Sequence, residues 1–174
     1  MTARFLKSTL ALLLFASLAL ANPPVALSPK DVATQFYRTC LKLKISGLPT
    51  AKQSKSLAPY LSQDLQQLIK TARQKQTKFI KDHPDEKPPW IEGDLFSSSF
   101  EGSHGFRVGT PVVQEERAEV PIHLFYRDGK KMIRWTDTLV LTRIGNGWVV
   151  SDLLYKAMWD FKPGTSLRGV LQSD

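Results

Sequence analysis

Apolar and polar positions alternate with two different periods along this chain. Val32, Phe36, Cys40 and Leu43 recur at spacings of four, four and three, which marks one face of an amphipathic helix. Ser28-Pro29-Lys30-Asp31 supplies its start, with a capping hydroxyl, a proline at the first helical position and an acid against the dipole. Gly47 and Pro49 end it. A second helix opens at Ser62 and carries Leu65, Leu68, Ile69 and Ala72, with Phe79 and Ile80 continuing the stripe. His83-Pro84 stops it, because the residue before proline is pushed out of the α region.

Beyond the polar, proline-rich connection from Asp82 to Pro89, the period falls to two. Ala118, Val120, Ile122, Leu124 and Tyr126 alternate with Glu119, Pro121, His123, Phe125 and Arg127, as in a sheet with one face in the core. Pro121 argues for an edge position or a bulge. Asp128-Gly129 is a hairpin turn leading into a strand from about Lys131 to Arg143. Gly145-Asn146-Gly147 turns the chain again into a last strand, Trp148 to Tyr155, and an earlier strand is predicted over Phe106 to Gln114. Helices followed by an antiparallel meander predict an α+β domain, with N-terminal helices packed on a curved antiparallel sheet.

The first segment reads differently. Arg4 and Lys7 precede an apolar run from Leu10 to Leu20, and Ala19-Leu20-Ala21 offers the small residues that signal peptidase requires. The run is shorter than the ~20 residues of a membrane-spanning helix. The expected organisation is therefore a cleavable signal peptide over residues 1–21, then one α+β domain over 22–174 that starts at Asn22-Pro23-Pro24. No Cys follows Ala21 to take a lipid, and no second apolar run approaches membrane length. A soluble periplasmic protein is expected, with no transmembrane segment after cleavage.

Cys40 is the single cysteine, so an internal disulfide is impossible. Its place in the apolar stripe suggests a buried small hydrophobe, against the alternatives of a reactive thiol or an intermolecular bridge. His83, His104 and His123 are too dispersed to suggest a metal site, and no cofactor is expected. The formal net charge of +8 is unevenly spread. Lys70, Arg73, Lys75, Lys78 and Lys81 form a basic surface patch on the second helix, while Glu115, Glu116 and Glu119 cluster further on. Such a patch either steers an anionic partner, here an acidic protein of the envelope, or is simply a solvated helix face. Nucleic acid is not expected, since the basic stretch lacks a series of aromatics to stack bases.

The densest unusual block is Pro88-Pro89-Trp90-Ile91-Glu92-Gly93-Asp94-Leu95-Phe96, followed by Ser97-Ser98-Ser99-Phe100-Glu101-Gly102. Aromatics, carboxylates and glycines in a connecting segment suit a pocket rim. They equally suit a lid in which Trp90, Phe96 and Phe100 plug the open end of the sheet and Asp94 caps a short helix. Trp90, Glu92, Asp94, Phe96, His104 and Trp159 are the candidate ligand-binding residues. For acid–base chemistry Asp94, His104, Asp137, Asp152 and Tyr155 are available, with Asp137 and Asp152 on adjacent strands, yet nothing in the sequence brings two of them together. No nucleophile elbow, phosphate-binding glycine loop or His-Glu-x-x-His appears, and no catalytic residue is assigned.

Several of these segments recur in one pattern: an exported leader, Val32-x-x-x-Phe36-Tyr37, Leu57-Ala58-Pro59-Tyr60-Leu61-Ser62, Trp90-x-x-Gly93-Asp94-x-Phe96, and Trp148-Val149-Val150-Ser151-Asp152 before Trp159-Asp160-Phe161. Over roughly residues 28–170 the chain resembles a family of uncharacterised bacterial envelope proteins with a nuclear transport factor 2-like (cystatin-like) cone. That resemblance implies a strongly curved antiparallel sheet wrapped around helices and enclosing a cone-shaped pocket. It carries no catalytic pair onto this chain. The leading functional expectation is a non-enzymatic periplasmic binding or interaction protein, such as an immunity or envelope accessory protein. The alternatives are a small-molecule pocket protein or cone-fold enzyme, and a binder of anionic lipid through Lys70 to Lys81.

Overall fold

The computed structural model describes residues 26–157 and 164–173. The predicted leader and its cleavage point, and the Trp159-Asp160-Phe161 cluster, lie outside the described residues.

Helix α1, Pro29–Leu43, starts as its sequence requires. Ser28 Oγ accepts the Asp31 N–H while the Asp31 carboxylate accepts the Ser28 N–H, so the cap is reciprocal. Val32, Ala33, Phe36 and Tyr37 are buried, and Lys44 ends the helix in the left-handed region at φ 46°. A short helix α2, Ala51–Leu57, follows, closed by a Thr50–Gln53 capping box, and runs into a 3-10 turn at Ala58–Tyr60. Helix α3, Gln63–Asp82, begins behind the Ser62 cap and buries Leu65, Ile69 and Ala72.

Five strands form one antiparallel sheet: β1 Gly105–Val108, β2 Val112–Gln114, β3 Arg117–Asp128, β4 Lys131–Ile144 and β5 Gly147–Leu154. The order is β1-β3-β4-β5, with β2 pairing the other end of β3. The sheet is open and curved, and β4 and β5 shift register at Val140/Leu141. A last helix, α4 Leu167–Gln172, packs against α3 and β5.

The strand expected over Phe106 to Gln114 is two strands, broken at residues 109–111, and Pro121 explains the break. Gly109 donates its N–H to the Pro121 carbonyl at 2.7 Å, so that residue's backbone faces β1 and β2. A residue's N–H and C=O point to the same neighbouring strand, so the donor that proline lacks is missing on this side. Pro121 is thus accommodated inside the sheet, with β4 on its other flank, instead of at an edge.

One face of the sheet carries Ala118, Val120, Ile122, Leu124, Leu139 and Leu141, all essentially inaccessible, and α1 and α3 lie over it. Burying this much apolar surface is the main favourable contribution to folding. The free edge of β5 is covered too: Ser62 N–H reaches the Val150 carbonyl at 2.8 Å and Tyr155 N–H the Thr165 carbonyl at 3.0 Å.

Candidate functional site

The segment from Trp90 to His104 has no regular secondary structure, yet its backbone is tied down from several directions. Gly47 N–H donates to the Gly93 carbonyl at 2.7 Å and Leu48 N–H to the Trp90 carbonyl at 3.0 Å, which fixes the segment to the chain leaving α1. Gly47 has φ +66°, and a Cβ there would sit 2.3 Å from the Trp90 carbonyl oxygen, so glycine is required for this approach. Trp90, itself at φ 51°, donates its indole N–H to the Val170 carbonyl at 3.1 Å, joining the segment to α4.

Two buried phenols hold the middle of the segment. Tyr37 donates to the Phe96 carbonyl at 3.2 Å, and Tyr155 donates to the Leu95 carbonyl at 2.6 Å. Burial, and then nearby carboxylates, push both phenols well above their ordinary value, so they act as fixed donors. Phe96 itself is in the core, edge-on to Phe36 with ring centres 5.5 Å apart.

Asp137 is the deepest anchor. Position by position it belongs to the apolar stripe Trp135, Asp137, Leu139, opposite Ile122, and it is wholly inaccessible. It accepts four hydrogen bonds: from Ser98 N–H at 2.8 Å, Ser98 Oγ at 2.6 Å, Lys156 N–H at 3.0 Å and Trp135 Nε1 at 3.2 Å. A buried carboxylate satisfied in this way clamps three distant parts of the chain. Asp152 does not face it, being paired with Val140, and instead accepts the Arg168 N–H at 3.0 Å to hold the start of α4.

Between this anchored segment and the last turn of α1 lies a cleft of about 680 Å³. Tyr37, Cys40, Leu41 and Ile45 line one side, and Asp94, Phe96, Phe100 and His104 the other. Asp94 is half-buried. Its Oδ1 accepts the Phe96 N–H at 2.7 Å, and Oδ2 makes no hydrogen bond to any described residue. Burial, reinforced by the charge of Asp137, pushes its carboxyl up to about 6 against the pull of the Phe96 N–H. Cys40 is raised well above its usual value by burial and then by Asp94, which keeps the thiol protonated and inert.

The remaining candidates are distributed around this cleft. Glu92 lines it and forms an exposed ion pair with Lys87. His104 accepts the Arg127 N–H on Nδ1 at 3.1 Å and stacks on Tyr126, which leaves Nε2 as the donor of a neutral ring. No hydrogen bond joins His104 to Asp94 among the described residues. Trp90 does not line the cleft, being turned toward α4; Phe100, 48% exposed, stands on its rim. The segment therefore combines both expected roles: Phe96 and Trp90 plug and anchor, while Asp94, Phe100 and His104 border open space. Cys40, Leu41 and Lys44 were not expected here; their place at the C-terminal end of α1 is the signal that could have found them.

On α3, Lys70, Lys75, Lys78 and Lys81 are exposed, with Lys78 ion-paired to Asp82. Arg73 is half-buried and donates from Nη2 to Ser54 Oγ at 2.6 Å, bridging to α2. Among the described residues no group of side chains is arranged to hold a metal ion, and no helix is long and apolar enough to cross a membrane. Comparison with known proteins yields no match to a family model, a curated protein or a solved structure.

Proposed function

We propose that this chain is an exported, periplasmic, non-enzymatic binding protein that holds a small ligand in the cleft beside Asp94. The observation that carries this reading is the cleft of about 680 Å³ into which a half-buried carboxylate opens, with one oxygen unengaged by the described residues. An apolar wall with a few convergent polar groups is the usual make-up of a small-molecule site. The ligand's apolar body rests on Phe96, Phe100 and Ile45, and a cationic or donor group meets Asp94. The open curved sheet with helices over one face supports the nuclear transport factor 2-like reading of the fold, in which α1 and Phe96 fill the depth and the cleft is the mouth. A non-enzymatic role suits the polar groups available: both phenols and Asp137 are spent on the scaffold, and Asp94 has no base or acid bonded to it.

The test is a nuclear magnetic resonance titration of residues 22–174 with phenethylamine, phenethyl alcohol and phenylacetate. The amine is expected to shift the amides of Asp94, Phe96, Phe100 and His104 most strongly, and Asp94→Asn to weaken it selectively. Equal response to all three probes, or shifts scattered away from the cleft, would refute the reading. Export is checked separately by fractionation, with the shortened chain expected in the periplasmic fraction.

The exposed lysines of α3 favour a second reading, docking of an acidic envelope protein. Capture of such a protein from periplasmic extract, lost on Lys78→Glu with Lys81→Glu, would support it; capture that survives both changes would exclude it.

A further inference from the structure

A second cavity, with lining residues distinct from those of the Asp94 cleft, lies in the groove between α2 and α3. It measures about 330 Å³, and its walls include Ser54, Lys55, Gln66, Lys70 and Arg73, with Leu61 and Ile69 among its apolar lining. No carboxylate among the described residues lines it. Asp64, at the first turn of α3, is engaged by the Ser62 hydroxyl at 2.5 Å and by Arg168 at 2.6 Å. The groove therefore gathers three cationic side chains with no counter-charge from the described residues on its walls.

Arg73 distinguishes this groove from an ordinary basic surface. Its Nη2 donates to Ser54 Oγ, which fixes the plane of the guanidinium against α2. Its Nε is buried and has no hydrogen-bond partner. An arginine N–H shielded from water and left without an acceptor is costly, and native proteins rarely leave one so. Gln66 does not relieve it: its Nε2 donates to the Ala58 and Leu61 carbonyls at 3.1 and 2.9 Å, and its Oε1 does not accept from Arg73 Nε. The planar fork of arginine matches two oxygens of a tetrahedral oxyanion, and a dianion gains more than a carboxylate from three nearby positive charges.

We propose that the groove between α2 and α3 is a binding site for a phosphoryl group, with the Arg73 guanidinium as its fixed donor and Lys55 and Lys70 as flanking ammonium groups. The group enters from the exposed lysines, and its oxygens meet the edge of the Arg73 guanidinium that lines the groove. Free phosphate, a soluble phosphomonoester and an anionic lipid headgroup share this chemistry. The site is independent of the Asp94 cleft, with which it has no lining residue in common.

The experiment follows the Arg73 Nε–H resonance of residues 22–174 during titration with inorganic phosphate at about pH 8, where the second proton is lost. Sodium acetate at equal ionic strength is the control. Phosphate is expected to shift that resonance together with the Ser54, Lys55 and Lys70 amides, and acetate to leave it in place. Lys55→Gln with Lys70→Gln keeps the Ser54–Arg73 anchor and is expected to weaken phosphate about tenfold, equivalent to about 1.4 kcal/mol. Asp94→Asn should change nothing. Sedimentation with vesicles of phosphatidylcholine, with and without phosphatidylglycerol, separates the sources. Binding only to the anionic vesicles, displaced by phosphate, assigns a lipid headgroup; phosphate binding with no vesicle binding assigns a soluble phosphate. An Arg73 resonance unmoved by phosphate, or moved equally by acetate, overturns the proposal.

Discussion

Replacing Asp137 by Asn or by Ala should destabilise the domain by clearly different amounts, and the difference can be worked out from its four partners. Three of the donors are fixed N–H groups, on Ser98, Lys156 and Trp135, and the fourth is the rotatable Ser98 hydroxyl. In Asp137→Ala all three fixed donors lose their acceptor in a site with no access to water, each costing about 1–3 kcal/mol. Partial relaxation makes the expected total about 3–5 kcal/mol, in the range for a broken buried polar network. Asn keeps the shape but must put an NH₂ where one carboxylate oxygen was. Placed at the Oδ2 position it would face Ser98 N–H and Trp135 Nε1, two donors that cannot turn away. At the Oδ1 position it faces only Lys156 N–H, because the Ser98 hydroxyl can rotate and accept.

Asp137→Asn therefore settles with one orphaned donor and costs about 1–3 kcal/mol. Urea unfolding of residues 22–174, followed by circular dichroism, measures both values, with an unchanged slope confirming that the same surface is exposed. A further consequence separates this account from simple loss of charge. Once Ser98 Oγ is the acceptor for the Asn amide, Ser98→Ala orphans a donor as well, so the double variant should show non-additivity of at least about 0.5 kcal/mol. Equal destabilisation by Asn and Ala, or strict additivity with Ser98→Ala, would refute the reasoning.

Three other perturbations have defined outcomes. Asp94, raised from 3.8 to about 6 in the folded chain, binds its proton more tightly there than in the unfolded chain; it contributes stability below about pH 4 that is lost as pH rises through 6. Asp94→Asn should accordingly match the parent at pH 4 and exceed it at pH 7.5 by about 1–2 kcal/mol, somewhat below the full ~3 kcal/mol of the shift because the carboxylate borders a wet cleft; a pH-independent difference in urea midpoint would contradict this. Gly47→Ala places a Cβ 2.3 Å from the Trp90 carbonyl oxygen at φ +66° and should cost more than about 2 kcal/mol in the same assay, while Gly145→Ala, with open space around it, should cost about 1 kcal/mol. Trp90→Phe removes the indole bond to Val170 and should speed hydrogen exchange in α4 with little effect on β3 and β4; uniform acceleration would show that the bond is not local in effect.

The elements with strong periodicity were legible in the sequence. The α1 cap at Ser28, the α3 start at Ser62, the alternation of β3 and the Asp128-Gly129 hairpin all lie where local chemistry puts them. The short helices were not. α2 buries only Leu57, too little apolar signal for a stripe, although the Thr50–Gln53 capping box was present to be read. α4 has six residues and owes its place to Asp152 and Trp90, both remote in sequence. The candidate site was legible as a list and not as an arrangement. Glu92, Asp94, Phe96 and His104 border the cleft, but the directions of side chains in an irregular segment depend on long-range bonds such as Gly47 to Gly93. Cys40 illustrates the same limit: its stripe pointed to the core, and it lies half-buried where the core opens into the cleft.

The two carboxylates near the cleft show how structure separates roles that sequence leaves equivalent. Both belong to buried or half-buried surroundings, neither has a cationic partner among the described residues, and each raises the phenols around it. Asp137 has four donors, so desolvation is offset by hydrogen bonds and its oxygens have nothing left to offer a ligand. Asp94 has one among the described residues, and it borders the open cleft. Gly102 lies alongside, where a Cβ would come within 2.8 Å of Oδ2, and Gly93 makes room in the same way for the Phe100 ring. Larger residues at these places would crowd the carboxylate and its aromatic neighbour. A carboxylate kept half-buried, under-donated and unobstructed is a net cost to stability. Asp94→Asn is expected to recover that cost at neutral pH, and a group whose removal stabilises the fold is one the fold does not need for itself. That excess is what the proposed binding role of Asp94 draws on, whereas Asp137 is spent on the scaffold.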